Sequence, residues 1–292
     1  VSALPAPSAA LPRRTAARRL PPPATLLALL LVALGALLML APFYLMFVFA
    51  THTDSAILSL PPPLWFGDAL GDNLRTLVQR LPALWQNLGY SVYVALAITA
   101  LNLFFCSLAG YAFALMDFPG RERLFTAVLA TLLLPAFLGM IPTVMVMSAF
   151  GWMNEHRALI VPGACGAIGV FLMRQYIRAA VPRDLVDAAR LDGAGEFGIY
   201  WRVVLPVVVP ALGTLGLITF ISAWNNFVGP LVVLSDPERY TLPLALRSLQ
   251  ATGQAPWGAI CAGAAIAVLP LMLIFALASR RLIEGLSAGA VK

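Results

Sequence analysis

The chain has 292 residues, 61% of them hydrophobic and only 11% charged, with a formal net charge of +6. A soluble domain carries about 25% charged side chains, so a water-soluble fold is excluded. A membrane β-barrel alternates polar and apolar residues in segments of about ten, whereas the apolar runs here are continuous. An all-α integral membrane protein is therefore expected, because within lipid only helices and closed barrels satisfy their own backbone.

Residues 1–24 read as a disordered basic arm, with Arg13, Arg14, Arg18 and Arg19 set among Pro, Ala and Ser. The charge-free run that follows, 24–50, is longer than the apolar core of about 7–15 residues found in a secretory signal, and it reads as a retained span. A crossing needs about 20 apolar residues. Six spans are predicted on that basis, at 25–49, 88–115, 125–150, 158–177, 205–234 and 257–279, all within one domain over 25–292. The segment 51–87, with Pro61, Pro62, Pro63, Trp65 and Trp85, reads either as a lateral helix or as a partner contact. Trp65, Tyr90 and Trp257 suit the membrane–water interface.

Pro135, Gly139 and Pro142 interrupt the third span, and Pro162, Gly163, Gly166 and Gly169 the fourth. Such breaks require neighbours or water to satisfy the freed backbone. Small residues also let helices approach closely. Tight packing and a translocation path are both open readings of these breaks. Met140, Met145, Met147 and Phe150 read as core or lipid contacts. Cys106, Cys165 and Cys261 lie in apolar runs without metal-site or disulfide spacing, and they read as small buried core residues.

Six crossings put both termini on one side. Fourteen of the 19 Lys and Arg residues fall on that side, leaving only Arg75, Arg80, Arg157, Arg239 and Arg247 on the other. Cytoplasmic loops collect Lys and Arg, so both termini are expected in the cytoplasm. The positive charge is a topology signal and gives no reason to invoke nucleic acid.

Missing residues narrow the chemistry. Lys292 is the only lysine, which rules out a phosphate-binding G-x-x-x-x-G-K-[ST] loop. His52 and His156 fall in separate external loops, so no catalytic set and no metal site is proposed. The spans contain no Asp or Glu, which weakens a proton relay. Sodium coupling through backbone carbonyls stays open. The chain reads as a pore or carrier whose energy comes from a partner, unless transport is passive.

The segment 182–206 concentrates charge between two apolar runs. Pro182 suits a helix start, and Asp184 then faces the positive end of the helix dipole. Leu185, Ala188 and Ala189 share one face at helical spacing, and Gly193 with Gly195 ends the helix. A second helical piece, 196–204, leads to Pro206. Two short helices joined by a sharp turn form either a solvated loop or a docking knob that presents an apolar face to a partner groove.

The stretch DAARLDGAGEFGIYWRVVLPVVVP closely resembles the EAA loop of binding-protein-dependent ABC importer permeases. That pattern is E-A-A, three residues, G, nine residues, I, one residue, L-P. Here Asp187, Ala188 and Ala189 stand at E-A-A, Asp192 precedes the glycine Gly193, Val203 stands for Ile, and Leu205 and Pro206 close the motif. DFPGRERLF at 117–125, WNNF at 224–227, YTLPLALRSL at 240–249 and GLSAGAVK at 285–292 are similar to the carbohydrate, maltose-permease-type branch.

The resemblance implies a type I importer permease with six transmembrane helices and a cytoplasmic coupling helix, in a bacterial or archaeal inner membrane. It implies a second homologous permease subunit, two cytoplasmic ABC ATPase subunits and an extracytoplasmic sugar-binding protein as partners. This chain would hold no cofactor of its own, ATP and Mg being bound by the partner ATPase. Asp187, Ala188, Ala189, Asp192, Gly193, Leu205 and Pro206 would couple to that ATPase. Trp224, Asn225 and Asn226 lie in the fifth span, where an amide is expensive in lipid and should face protein or a watery path. They are the candidates for a sugar path, with interhelical packing as the competing reading. An importer permease for another solute such as glycerol phosphate is the alternative, followed by a membrane enzyme or an ATP-independent carrier.

Overall fold

A computed structural model describes residues 23–288. The predicted basic arm, apart from Pro23 and Ala24, lies outside the described residues, as does Lys292. Pro23 and Ala24 open helix α1, Pro23–Phe49. Its stretch through Leu45 forms a unit of its own and the chain from Met46 onward a second. Within the first unit the apolar side chains are exposed all round, Leu38 at 75%, as suits a helix solvated by lipid.

The second unit consists of helices and loops, with no strand among its described residues. A short α2 (Asp54–Ile57) and an amphipathic α3 (Leu70–Arg80) follow α1. The segment 51–87 thus contains an amphipathic helix. Asn73 of α3 donates to the carbonyls of Ala50 and His52, at 2.9 Å each, and the loop before α3 leaves Trp65 80% exposed. Helix α4, Leu84–Leu115, is the longest unbroken element near the centre. After a tight turn at Gly120 come α5 (Arg121–Ala130) and α6 (Met140–Ala149). Where a span is predicted at 125–150 they form a broken pair whose halves meet at 97°. Pro135 is the physical reason: it has no N–H, and it drives Leu134 into extended backbone.

The fourth span is α7 (Arg157–Gly163) followed by α8 (Ala167–Ala180). The break between them is stitched by α4. Asn102 donates to the carbonyl of Gly163 at 3.3 Å, and the Cys106 thiol lies 3.5 Å from the carbonyl of Gly166. Side chains of a neighbour thus satisfy backbone that the break released. Cys106 is buried as expected, but Cys165 is exposed at this break.

Helix α9 (Arg183–Leu191) then forms the first arm of the charged segment. Its second arm is α10 (Glu196–Ile199), a π-helical turn at Tyr200–Val204, and α11 (Leu205–Val207). Helix α12 (Val209–Trp224) leaves that arm at 82°. Pro210 cannot donate to the carbonyl one turn back, so the hydrogen-bond ladder is cut there. The fifth span also ends earlier than 234. It stops at Trp224, and α13 (Val228–Val233) restarts beyond Asn225 and Asn226. Helix α14 (Leu242–Ser248) and the last span, α15 (Trp257–Ala288), complete the chain. Among the described residues, α1, α4, α7 with α8, and α15 are long and apolar enough to cross a membrane, and six crossings result if each bent pair counts as one.

The main apolar core gathers α4, α8, α9 and the second arm around Tyr111, Met173, Ile177, Val186, Ile199 and Tyr200. A second core, with Ile98, Leu159 and Leu244, lies toward the other end of α4.

Candidate functional site

Two features stand out, an exposed knob and a cavity. The knob is built by local rules. Pro182 caps α9 in extended backbone, Asp184 sits in the first turn and Arg190 in the last. Gly193, at φ +82°, then reverses the chain. Its N–H donates to Arg190, and the N–H of Ala194 donates to Ala189, both at 3.0 Å. This pair of bonds closes a helix end that needs a left-handed residue, which glycine supplies without strain.

Val186 is the inward anchor of α9, 1% exposed, whereas Leu185, Leu191, Phe197 and Trp201 face outward, Leu191 at 90%. The predicted coupling residues separate into two groups. Asp187, Ala188, Ala189, Asp192 and Gly193 are on or beside the knob, while Leu205 and Pro206 sit at the bend into α12. Arg190 ties the knob together. It donates to Asp187 at 3.0 Å and to Glu196 at 2.9 Å. The hydrogen bond with Glu196 raises the guanidinium pKa further above its usual value, so the pair stays charged.

Glu196 also accepts a hydrogen bond from the Tyr111 hydroxyl of α4. One turn further along the second arm, Tyr200 and Ser107 share a hydroxyl–hydroxyl bond of 2.8 Å. Ser107 directs its own hydrogen to a backbone carbonyl of α4, that of Leu103 or of Phe104, so Tyr200 is the donor. Sequence reading did not single out Tyr111, Ser107, Arg190, Glu196 or Tyr200 as a set, because 85 residues separate Tyr111 from Glu196.

The cavity, of about 710 Å³, lies between α4, α6, α7 and α12. Its wall is mostly apolar, and its polar side chains are Asn102, Thr143, Thr219, Ser222 and Asn226. None of the lining residues is charged. Asn102 donates to Gly163 and accepts from Thr219, both at 3.3 Å, with the Cys106 sulfur 3.5 Å from the same amide oxygen.

The three predicted path residues part company here. Asn226 lines the cavity and accepts from the N–H of Gly229 at 3.1 Å. Asn225 is exposed outside the lining. Trp224 is buried, stacks on Phe220 and donates to the carbonyl of Ala267 at 3.2 Å. It pins α12 to α15 and takes no part in the lining. Asn102, Thr143, Thr219 and Ser222 were not singled out, since a lone polar residue in an apolar run carries no motif. Among the described residues no cluster of His, Cys, Asp and Glu could hold a metal.

Comparison with known proteins gives a consistent result. The family of binding-protein-dependent transport system inner membrane components matches residues 107–287. The arabinooligosaccharides transport system permease protein AraQ of Halalkalibacterium halodurans is 35% identical over 76% of this chain and 79% of its own length. The lactose transport system permease protein LacG of Rhizobium radiobacter is 35% identical over 89% and 94%. The sn-glycerol-3-phosphate transport system permease protein UgpE of Yersinia pestis is 30% identical over 88% and 94%. A chain of a bacterial ABC transporter that imports the acidic polysaccharide alginate shares the fold, with a TM-score of 0.76 over 88% of this chain and 95% of that one, at 21% identity.

Proposed function

The chain belongs to the family of binding-protein-dependent transport system inner membrane components, and from that premise we propose that it forms half of the path of an ATP-driven importer of uncharged sugars. The observation that carries the sugar reading is the cavity wall. It offers amides and hydroxyls on an apolar surface and no charge, which suits the hydroxyls and apolar faces of a sugar. A phosphate ligand would call for Arg or Lys, so the glycerol phosphate alternative is disfavoured. The relatives that transport arabinooligosaccharides and lactose are also more similar than the glycerol phosphate relative.

In this reading the chain is no enzyme. A second, homologous permease completes the path, an extracytoplasmic binding protein delivers the sugar, and two cytoplasmic ATPase subunits hold ATP and Mg. The knob end and both termini face the cytoplasm. Leu185, Leu191 and the small residues Ala188 and Ala189 meet a groove on one ATPase, with Asp187 and Asp192 at the rim. ATP-driven closure of the ATPase pair moves the knob, and the cavity alternates between the two sides of the membrane.

The test is uptake of a labelled saccharide panel, including lactose and arabinotriose, by cells that depend on this chain. One saccharide is expected to enter with the natural chain and not with Gly193→Val. A β-branched side chain at φ +82° costs on the order of 1–3 kcal/mol and misdirects the knob, although no atom lies within 4 Å of the new Cβ. Unimpaired uptake with Gly193→Val would sink the coupling role of the knob. Uptake of glycerol phosphate with no response to any saccharide would replace the sugar assignment.

A further inference from the structure

We propose that α4 is the lever between knob and cavity, and that Tyr111, Ser107, Glu196 and Tyr200 are positioning residues that fasten the knob to it. The proposal rests on the importer reading and goes further in naming what transmits the motion. Ser107 and Tyr111 are four residues apart on α4, and Glu196 and Tyr200 are four apart on the second arm. Residues at that spacing share one face of a helix. The partners pair in antiparallel order, 111 with 196 and 107 with 200, so the contacts form two rungs of one ladder.

The three hydroxyls of the rungs lie inside the main core, while the Glu196 side chain is 42% exposed. Ser107 and Tyr200 are each 1% exposed and Tyr111 2%. A hydroxyl that loses its partner there is not rescued by water, so the rungs fix a register that apolar packing alone would leave free to slide. Glu196 extends the lower rung into the knob, because Arg190 bridges it to Asp187.

Helix α8, which leads into the first arm of the knob, is fixed to the same stretch of α4. A Cβ added to Gly110 would lie 2.6 Å from Cβ of Met173, and one added to Gly169 would lie 2.6 Å from Sγ of Cys106. The last three turns of α4 therefore hold α8, which carries the first arm, by close packing and the second arm by the ladder. At the cavity, α4 carries Asn102, whose amide holds Gly163 beside the break in the fourth span and Thr219 on α12. Displacing the knob thus displaces the side chain that sets the positions of two cavity walls.

The test uses the complete complex, both permeases with their ATPase subunits in a bilayer. Cys106→Ala, Cys165→Ala and Cys261→Ala clear the background, and Ser222→Cys reports cavity access through its labelling by an impermeant maleimide. In this parent, ATP with vanadate is expected to change the labelling rate by about fivefold or more, the lower end of ordinary coupling between sites. Tyr111→Phe combined with Tyr200→Phe is expected to keep the ATPase subunits bound and hydrolysing ATP, while the labelling change shrinks to about twofold or less.

A pair of near-equal volume separates transmission from mere packing. Ser107→Thr retains the acceptor for Tyr200 and is expected to respond like the parent, whereas Ser107→Val removes it and is expected to lose the response. Equal responses of the parent and the Tyr111→Phe/Tyr200→Phe variant, or of the Thr and Val variants, would overturn the ladder. A parent that retains no ATPase, or whose cavity ignores ATP, would instead bring down the importer reading and the ladder with it, so the two failures are distinguishable.

Discussion

Arg174 shows how a side chain's neighbours change its meaning. In the sequence it is one more basic residue on the side of the termini. In the fold its side chain is 6% exposed, while that of its partner Glu122 is 60% exposed. The guanidinium donates to both carboxylate oxygens at 2.7 and 2.8 Å and to the carbonyl of Phe113 at 3.2 Å, and it lies 3.7 Å above the Phe125 ring. The asymmetry has a consequence. Arg174→Met leaves a carboxylate that water already reaches and keeps an apolar stem on the ring. Glu122→Ala leaves a buried cation with its main countercharge removed, which is the more costly way to break such a pair. Thermal unfolding in detergent is therefore expected to show the larger loss for Glu122→Ala. The opposite order would mean that the Arg174 charge is hydrated in the native state.

At the scale of elements, the contact between α4 and α8 is the one on which both candidate sites depend. Gly110 lets the backbones meet, since an added Cβ would also lie 2.9 Å from the backbone nitrogen of Arg174. That neighbour cannot rotate away. Gly110→Ala is expected to destabilise the chain by about 1–3 kcal/mol, as overpacking does elsewhere. Gly89, on the same helix, has nothing within 4 Å of its added Cβ. Gly89→Ala is expected to be neutral or stabilising by up to about 1 kcal/mol, because alanine favours a helix over glycine. Thermal melts of the two variants check the opposite signs. Such contrasts lie beyond a single sequence. Long apolar runs disclose that spans exist, and Pro182 and Gly193 disclose the edges of the knob, since those signals are local. Pro135 and Pro210 disclose that helices are interrupted, but neighbouring helices decide the size of each bend. Asn102 and Trp224 were opaque for the same reason. The first is one polar group in an apolar run and the second stands beside two amides in WNNF, and only the fold decides that the first lines a cavity and the second pins α12 to α15.

For the whole molecule, the distribution of charge makes a claim about direction. Fourteen of the 19 basic residues fall on the side of the termini and the knob, and the cost of translocating them would hold that side in the cytoplasm, the orientation proposed above. Two exposed positions read this out, Leu191 at the knob tip, 90% exposed, and Trp65 in the loop before α3, 80% exposed. In a background without the native cysteines, Leu191→Cys is expected to react with an impermeant maleimide only after the membrane is opened. Trp65→Cys is expected to react in intact cells whose outer barrier is permeable to the reagent. The energetic argument joins this to the mechanism. In the proposed importer the drive enters through a partner that meets ATP in the cytoplasm, in keeping with spans that lack acidic residues and a chain that lacks a phosphate-binding loop. Labelling of Leu191→Cys from outside would therefore overturn more than the topology, because a knob on that face cannot receive work from an ATPase at all.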